Sequence, residues 1–161
     1  MSRRDYTNMA NSFSQVHIHF VFAVKNRLGI IQSKWKEDLY KYITGIAQNN
    51  NHKIVAINGM SDHIHILIGV RPSQSISDLM KDIKQSSSKW INDNKLTEIH
   101  FEWQEGYGAF SYSKSQIETV IKYIQNQEEH HKIKTFREEY LEILQNFEVD
   151  FDEKYIFQEL L

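Results

Sequence analysis

Two apolar runs with a three-residue break between them constrain this chain most. Lys53–Gly59 (KIVAING) and His63–Val70 (HIHILIGV) flank Met60, Ser61 and Asp62. Short β-branched runs with so tight a break predict a hairpin. Upstream, Gln15–Val24 (QVHIHFVFAV) alternates in polarity and reads as another strand. Between these strands, Trp35, Leu39, Tyr42, Ile43 and Ile46 recur at helical spacing behind Ser33, a candidate cap. After the sole proline, Pro72, the residues Ile76, Leu79, Met80, Ile83, Ser87, Trp90 and Ile91 mark a second helical face, with Ser75 or Ser77 as cap. A further strand is expected near Ile99–Trp103.

The order β-α-β-β-α-β predicts an α+β fold, a ferredoxin-like or RRM-like sandwich whose antiparallel sheet carries helices on one face. The other face is left as a candidate binding surface. Past the glycines of EGYGAFSYS, the stretch SKSQIETVIKYIQNQEEHH predicts a C-terminal helix beginning at Ser113 or Ser115, and TFREEYLEILQNF a further one. With 161 residues and neither repeats nor a Pro/Gly-rich linker, residues 1–161 read as one domain. Residues 1–14 are expected to be flexible, and 148–161 to form an acidic, aromatic tail.

Charge bears on function through its distribution. The formal net charge is −2, which argues against a phosphate-binding surface. Residues 138–161 carry eight acids and a single base, which leaves residues 1–137 with eighteen bases against thirteen acids. The body is therefore mildly basic. No cysteine is present, so disulfides and thiolate metal sites are excluded and a metal would need His, carboxylate, amide or water ligands. Neither a signal peptide nor a membrane span is recognisable, and a cytoplasmic location is expected.

His63 and His65 lie two residues apart in a predicted strand, so both imidazoles leave one face, about 7 Å apart at the α-carbons. A metal ion fits between them, although a polar strand face carries such pairs without any catalytic reason, and His17 and His19 repeat the spacing. Tyr123 and Gln127 are four residues apart and share one helical face, where a phenol and an amide oxygen could meet one metal-bound phosphate. The plainer reading of Tyr123 is a half-buried helix aromatic beside Val120 and Ile124. Asp62 is either a turn residue or a group that orients an imidazole. His130 and His131 read either as groups that contact phosphate or support the metal ligands, or as residues favoured at a helix C-terminus, and are left out of the catalytic set.

Taken together, DHIHILI, WQEGYGAFSYS, YIQNQEEHH and TFREEYLEILQNFEVDFDEKYIF resemble the single-tyrosine HUH transposases of the insertion-sequence 200/605 class over nearly the whole chain. The resemblance implies that His63 and His65 are the histidine pair, Tyr123 the nucleophile and Gln127 a further metal ligand, with Mg²⁺ or Mn²⁺ as the cofactor. It implies a metal-dependent single-strand DNA endonuclease and strand transferase that forms a 5′-phosphotyrosine at hairpin-containing element ends. It also implies a homodimer, with Tyr123 serving either its own or the partner's histidine pair, in a prokaryotic, DNA-associated setting. Candidate DNA contacts are Lys25, Arg27, Arg71, Lys84 and Lys89, with Trp103, Tyr107 or Phe110 for base stacking. Against these stand a solvated helix face for Lys84 and Lys89 and a core role for Trp103. The rival functional reading is a hairpin DNA- or RNA-binding regulator that does not cut.

Overall fold

The computed structural model describes residues 13–150, so most of the N-terminal segment 1–14 and of the acidic tail 148–161 lies outside the described residues. In chain order the elements are β1 (Val16–Ala23), α1 (Ser33–Asn49), β2 (Lys53–Met60), β3 (His63–Val70), α2 (Ile76–Asp93), β4 (Gly108–Ser111), α3 (Ile117–Gln125), α4 (Gln127–His131) and α5 (Phe136–Asn146). The strands form one antiparallel sheet in the order β2-β3-β1-β4. The α+β class expected from the sequence holds.

The hairpin is tighter than its sequence break suggests, because Met60 and His63 pair and only Ser61 and Asp62 turn. Gly59 makes this closure possible: a Cβ there would fall 2.2 Å from the His63 carbonyl oxygen. The turn is held from outside by Val24 N–H donating to the Asp62 carbonyl and Ile31 N–H to that of Ser61.

Strand alternation divides the molecule into two cores. Ile18, Phe20 and Phe22 of β1 and Ile64, Ile66 and Ile68 of β3 face α1 and α2, where they bury Trp35, Leu39, Ile43, Leu79, Met80, Ile83 and Ile91. At the start of α2 the Ser75 hydroxyl accepts from Asp78 N–H, but α1 is capped differently, since Ser33 is already helical and the Gln32 side chain makes no cap bond.

The opposite face is covered, contrary to expectation. Leu67 and Ala56 pack against Val120 and Ile124 of α3. Val21, Ala23 and Phe110 pack against Phe136 and Leu144 of α5. The result is three layers, with the C-terminal helices closing what the sequence left as an open sheet face.

The fourth strand also differs from expectation. Ile99–Trp103 contributes only a single bridge, Val24 to Trp103, while Gly108–Ser111 pairs with β1. The reason lies in Asn92: its side chain donates to the Phe101 carbonyl and accepts from Phe101 N–H, which satisfies that backbone outside the sheet.

Candidate active site

The second face of β3 carries the chemistry. His63, His65 and Leu67 project there, and β1 register sets Ala23 opposite His63, Val21 opposite His65 and His19 opposite Leu67. His19, His63 and His65 are fully buried. Above them, α3 delivers Tyr123, α4 delivers Gln127 and His131, and α5 delivers Glu139. Each helix entry is locally encoded: Ser113 and Gln116 form a reciprocal capping box before α3, and the Thr135 hydroxyl accepts from Glu138 N–H at the start of α5. That cap fixes the first turn of α5, on which Glu139 sits.

Glu139 is the hub. Its Oε1 lies 2.9 Å from His65 Nε2, 3.6 Å from His63 Nε2 and 3.4 Å from His131 Nε2. Its Oε2 accepts from the Tyr123 hydroxyl and, at 3.3 Å, from Gln127 Nε2. Gln127 Oε1 stands 3.0 Å from His63 Nε2 and 3.1 Å from His131 Nε2. Further out, Asp62 Oδ1 is 2.7 Å from His63 Nδ1, His19 Nε2 is 2.8 Å from His65 Nδ1, and Tyr112 is 3.4 Å from the other nitrogen of His19.

Burial sets the protonation states. Desolvation lowers His65 to about 4, overriding the opposing pull of the Glu139 carboxylate, and lowers His19 as well, helped by His65. Both imidazoles are therefore neutral at physiological pH, as a ligand or its support requires. Burial pushes the Tyr123 phenol well above its ordinary value, and the negative Glu139 adds to that effect. Burial also opposes ionisation of Glu139, but hydrogen bonds from His65 and Tyr123 outweigh it and hold the carboxyl below the usual range.

This donor set fits a divalent cation. His63, His65 and Glu139 each offer one ligand atom, all within 4.8 Å of one another, and the set is buried and combines imidazole nitrogen with one carboxylate. The amide oxygen of Gln127 faces the same point. The structure thus brings together the four residues singled out in the sequence, His63, His65, Tyr123 and Gln127, within one chain. It adds Glu139, which sequence reasoning passed over, and His19 and His131, which it weighed but left out of the site.

The candidate DNA contacts lie elsewhere. Lys25 pairs with Glu102 and Lys89 with Asp93, both on the surface. Arg27 ends a 3-10 turn with a positive φ of 52°, and the backbone N–H of Arg71 donates to His52. Lys84 is turned inward, donating to the carbonyls of Gln104 and Gly106. Trp103 is 8% exposed and donates to Ser87 Oγ, and Phe110 is buried, so neither offers a free ring face. Tyr107 is 37% exposed and meets Phe20 edge-on. Among the described residues no helix is long and apolar enough to cross a membrane.

Sheet, buried histidine pair and helix-borne tyrosine form the arrangement expected of a single-tyrosine transposase. Residues 12–127 match the family described as "Transposase IS200 like", and the chain belongs to that family. It is 25% identical over 118 residues to the ISDra2 transposase TnpA of Deinococcus radiodurans, covering 70% of this chain and 84% of that one. It is 24% identical over 135 residues to the transposase for insertion sequence element IS200 of Salmonella typhimurium, covering 80% and 88%. Two solved structures share the fold. A putative transposase from Deinococcus radiodurans superposes with a TM-score of 0.58 at 23% identity, over 73% of this chain and 94% of that one. A REP-associated tyrosine transposase bound to a REP hairpin superposes with a TM-score of 0.56 at 14% identity, over 71% and 67%.

Proposed function

We propose that this transposase is a metal-dependent single-strand DNA endonuclease and strand transferase in which Tyr123 is the nucleophile. The observation that carries this reading is the hydrogen bond from the Tyr123 hydroxyl to Glu139 Oε2, while Oε1 of the same carboxylate faces His63 and His65. His63, His65 and Glu139, with Gln127, would hold the divalent cation, Mg²⁺ or Mn²⁺. Bound there, the cation would polarise a scissile phosphate and offset the carboxylate charge that now disfavours the phenolate.

The residues do the rest. Glu139 orients the phenol and accepts its proton as the Tyr123 oxygen attacks phosphorus. The phosphorus bond to the 3′-side oxygen breaks, and that oxygen takes up the proton released from Tyr123 by way of Glu139, giving a 5′-phosphotyrosine and a free 3′-OH. Because the phosphodiester energy is retained, a later 3′-OH reverses the step and joins strands. Positioning and charge neutralisation dominate such phosphoryl transfer, which is why a small buried cluster suffices. Hairpin DNA at element ends is the proposed substrate, a reading supported by the hairpin-bound structural relative. Dimerisation stays part of the proposal, but exchange of Tyr123 between subunits is not needed, since Tyr123 already meets Glu139 and Gln127 of its own chain.

The test is incubation with labelled single-stranded hairpin DNA from the flanks of the gene, with Mn²⁺ or Mg²⁺, followed by denaturing electrophoresis. A covalent adduct is expected from the wild type and none from Tyr123→Phe or in EDTA, with DNA binding by the variant retained. Undiminished cleavage by Tyr123→Phe would remove the nucleophile assignment. Tight binding with no adduct under either metal would instead favour a regulator that holds hairpins without cutting them.

A further inference from the structure

We infer that His131 is a third imidazole ligand of the metal centre, so that the ion is held by His63, His65 and His131 together with Glu139 and Gln127. This inference rests on the metal-centre reading above and extends it to a residue outside the family match, which ends at Gln127.

The argument is one of proton placement. His131 Nδ1 lies 2.9 Å from the Lys134 backbone carbonyl. A carbonyl only accepts, so Nδ1 carries a proton and Nε2 is the nitrogen left to ligate. That nitrogen faces Gln127 Oε1 at 3.1 Å and Glu139 Oε1 at 3.4 Å. The Gln127 amide is oriented with its nitrogen toward Glu139 Oε2, so its oxygen is the atom turned to the imidazoles. Three candidate ligand atoms, His131 Nε2, Gln127 Oε1 and Glu139 Oε1, therefore converge.

The same pattern holds for His63. Asp62 accepts from His63 Nδ1, so His63 Nε2 is left to ligate and faces Gln127 Oε1 at 3.0 Å. His65 differs: its Nε2 donates to Glu139 Oε1 in the metal-free chain, and ligation would move that proton to Nδ1, which stands 2.8 Å from His19 Nε2. Each ring thus has an outward partner at Nδ1, as metal-bound histidines do.

Spacing and shielding agree. Donors around one ion at about 2.0 to 2.2 Å stand about 3.0 to 3.4 Å apart in octahedral or tetrahedral arrangements. The donor separations at His131 are 3.1 and 3.4 Å. Its side chain is 8% exposed and its ring meets that of His63 edge-on with centroids 4.6 Å apart. His130, by contrast, lies tilted beside the Tyr123 ring and points no nitrogen at this cluster among the described contacts. A third imidazole makes the site nitrogen-rich, which favours Mn²⁺ or a later transition ion over Mg²⁺.

The experiment loads the purified full chain with Mn²⁺ alone and reads two quantities: the dissociation constant by calorimetry, and the number of coupled imidazole nitrogens by pulsed electron paramagnetic resonance. Wild type is expected to show three imidazoles. His131→Ala should show two and bind Mn²⁺ at least about tenfold more weakly, in line with losses seen when metal-site partners are removed. His131→Gln keeps the volume and polarity, so it serves if the alanine variant fails to fold, and it should also lose one imidazole coupling. Two couplings in wild type, unchanged in either variant, would overturn the assignment and leave a hydrogen-bonding role for His131. His65→Ala separates the two readings: if it too leaves Mn²⁺ binding unaltered, the metal centre itself fails, whereas loss of binding there with no change at His131 fails only the third ligand.

Discussion

The Tyr123 hydroxyl donates to the Glu139 carboxylate, joining the proposed nucleophile on α3 to a buried acid on α5 that also reaches His65. One carboxylate thus spans the reacting group and the metal ligands. Glu139→Gln keeps the shape but removes the charge, and Gln is a poorer proton acceptor and a weaker ligand. Single-turnover cleavage is expected to fall at least about 100-fold, the scale of one positioned acid–base group, with hairpin binding little changed. Glu138→Gln, on the same turn but exposed, should cleave at the wild-type rate. Equal activity of the two variants would remove Glu139 from the mechanism.

Acid should unfold the protein early when metal is chelated. Folded His65 takes up its proton near 4 instead of 6.5, so between those values the unfolded chain holds the extra proton and folding weakens as pH falls. Glu139 acts in the same sense lower down, because its folded carboxyl stays ionised below the unfolded range and that stability is lost as pH drops through it. The His65 contribution alone is about 3 kcal/mol. Urea unfolding in EDTA should therefore give a free energy that is flat above pH 7 and falls between pH 6.5 and 4. A stability unchanged over that window would contradict the buried neutral state of His65.

What the sequence disclosed was whatever is local. The hairpin, the shared face of His63 and His65, and the single helical face of Tyr123 and Gln127 follow from periods of two and about four residues. Glu139 was hidden because it sits in an acidic run with Glu138 and Glu142, and only the packing of α5 on Val21 and Ala23 selects it. His19 looked like a chance repeat of the histidine spacing until β1 and β3 register set it diagonally beside His65. The four-residue strand Gly108–Ser111 was too short to show alternation, while Ile99–Trp103 had the composition of a strand but found its backbone partners on Asn92. These are long-range choices, which no local period encodes.

The helix that bears Tyr123 depends on one core residue of β3. Leu67 is fully buried and packs with Val120 and Ile124 of α3, two positions on the sheet side of Tyr123. Leu67→Ala leaves a cavity under α3 and should cost about 2 to 5 kcal/mol. Because α3 carries the proposed nucleophile, cleavage should fall by more than the folded fraction lost. Chemical denaturation alongside cleavage per folded molecule checks this, and a stability loss under about 1 kcal/mol would mean that α3 does not rest on this contact.

Lys84 is positively charged on a helix yet serves the fold. Its ammonium donates to the carbonyls of Gln104 and Gly106, at 2.6 and 2.8 Å, tying α2 to the segment that leads into β4. Lys84→Met keeps most of the stem and removes both bonds, leaving two carbonyls to find water, and should cost about 1 to 2 kcal/mol for hydrogen bonds made by a half-exposed charge. A phosphate contact would behave differently, since each one lost lowers the slope of log affinity against log salt by about one. The expected outcome for Lys84→Met is a lower unfolding midpoint with an unchanged salt slope for hairpin binding. A slope reduced by one, at wild-type stability, would instead assign Lys84 to the DNA.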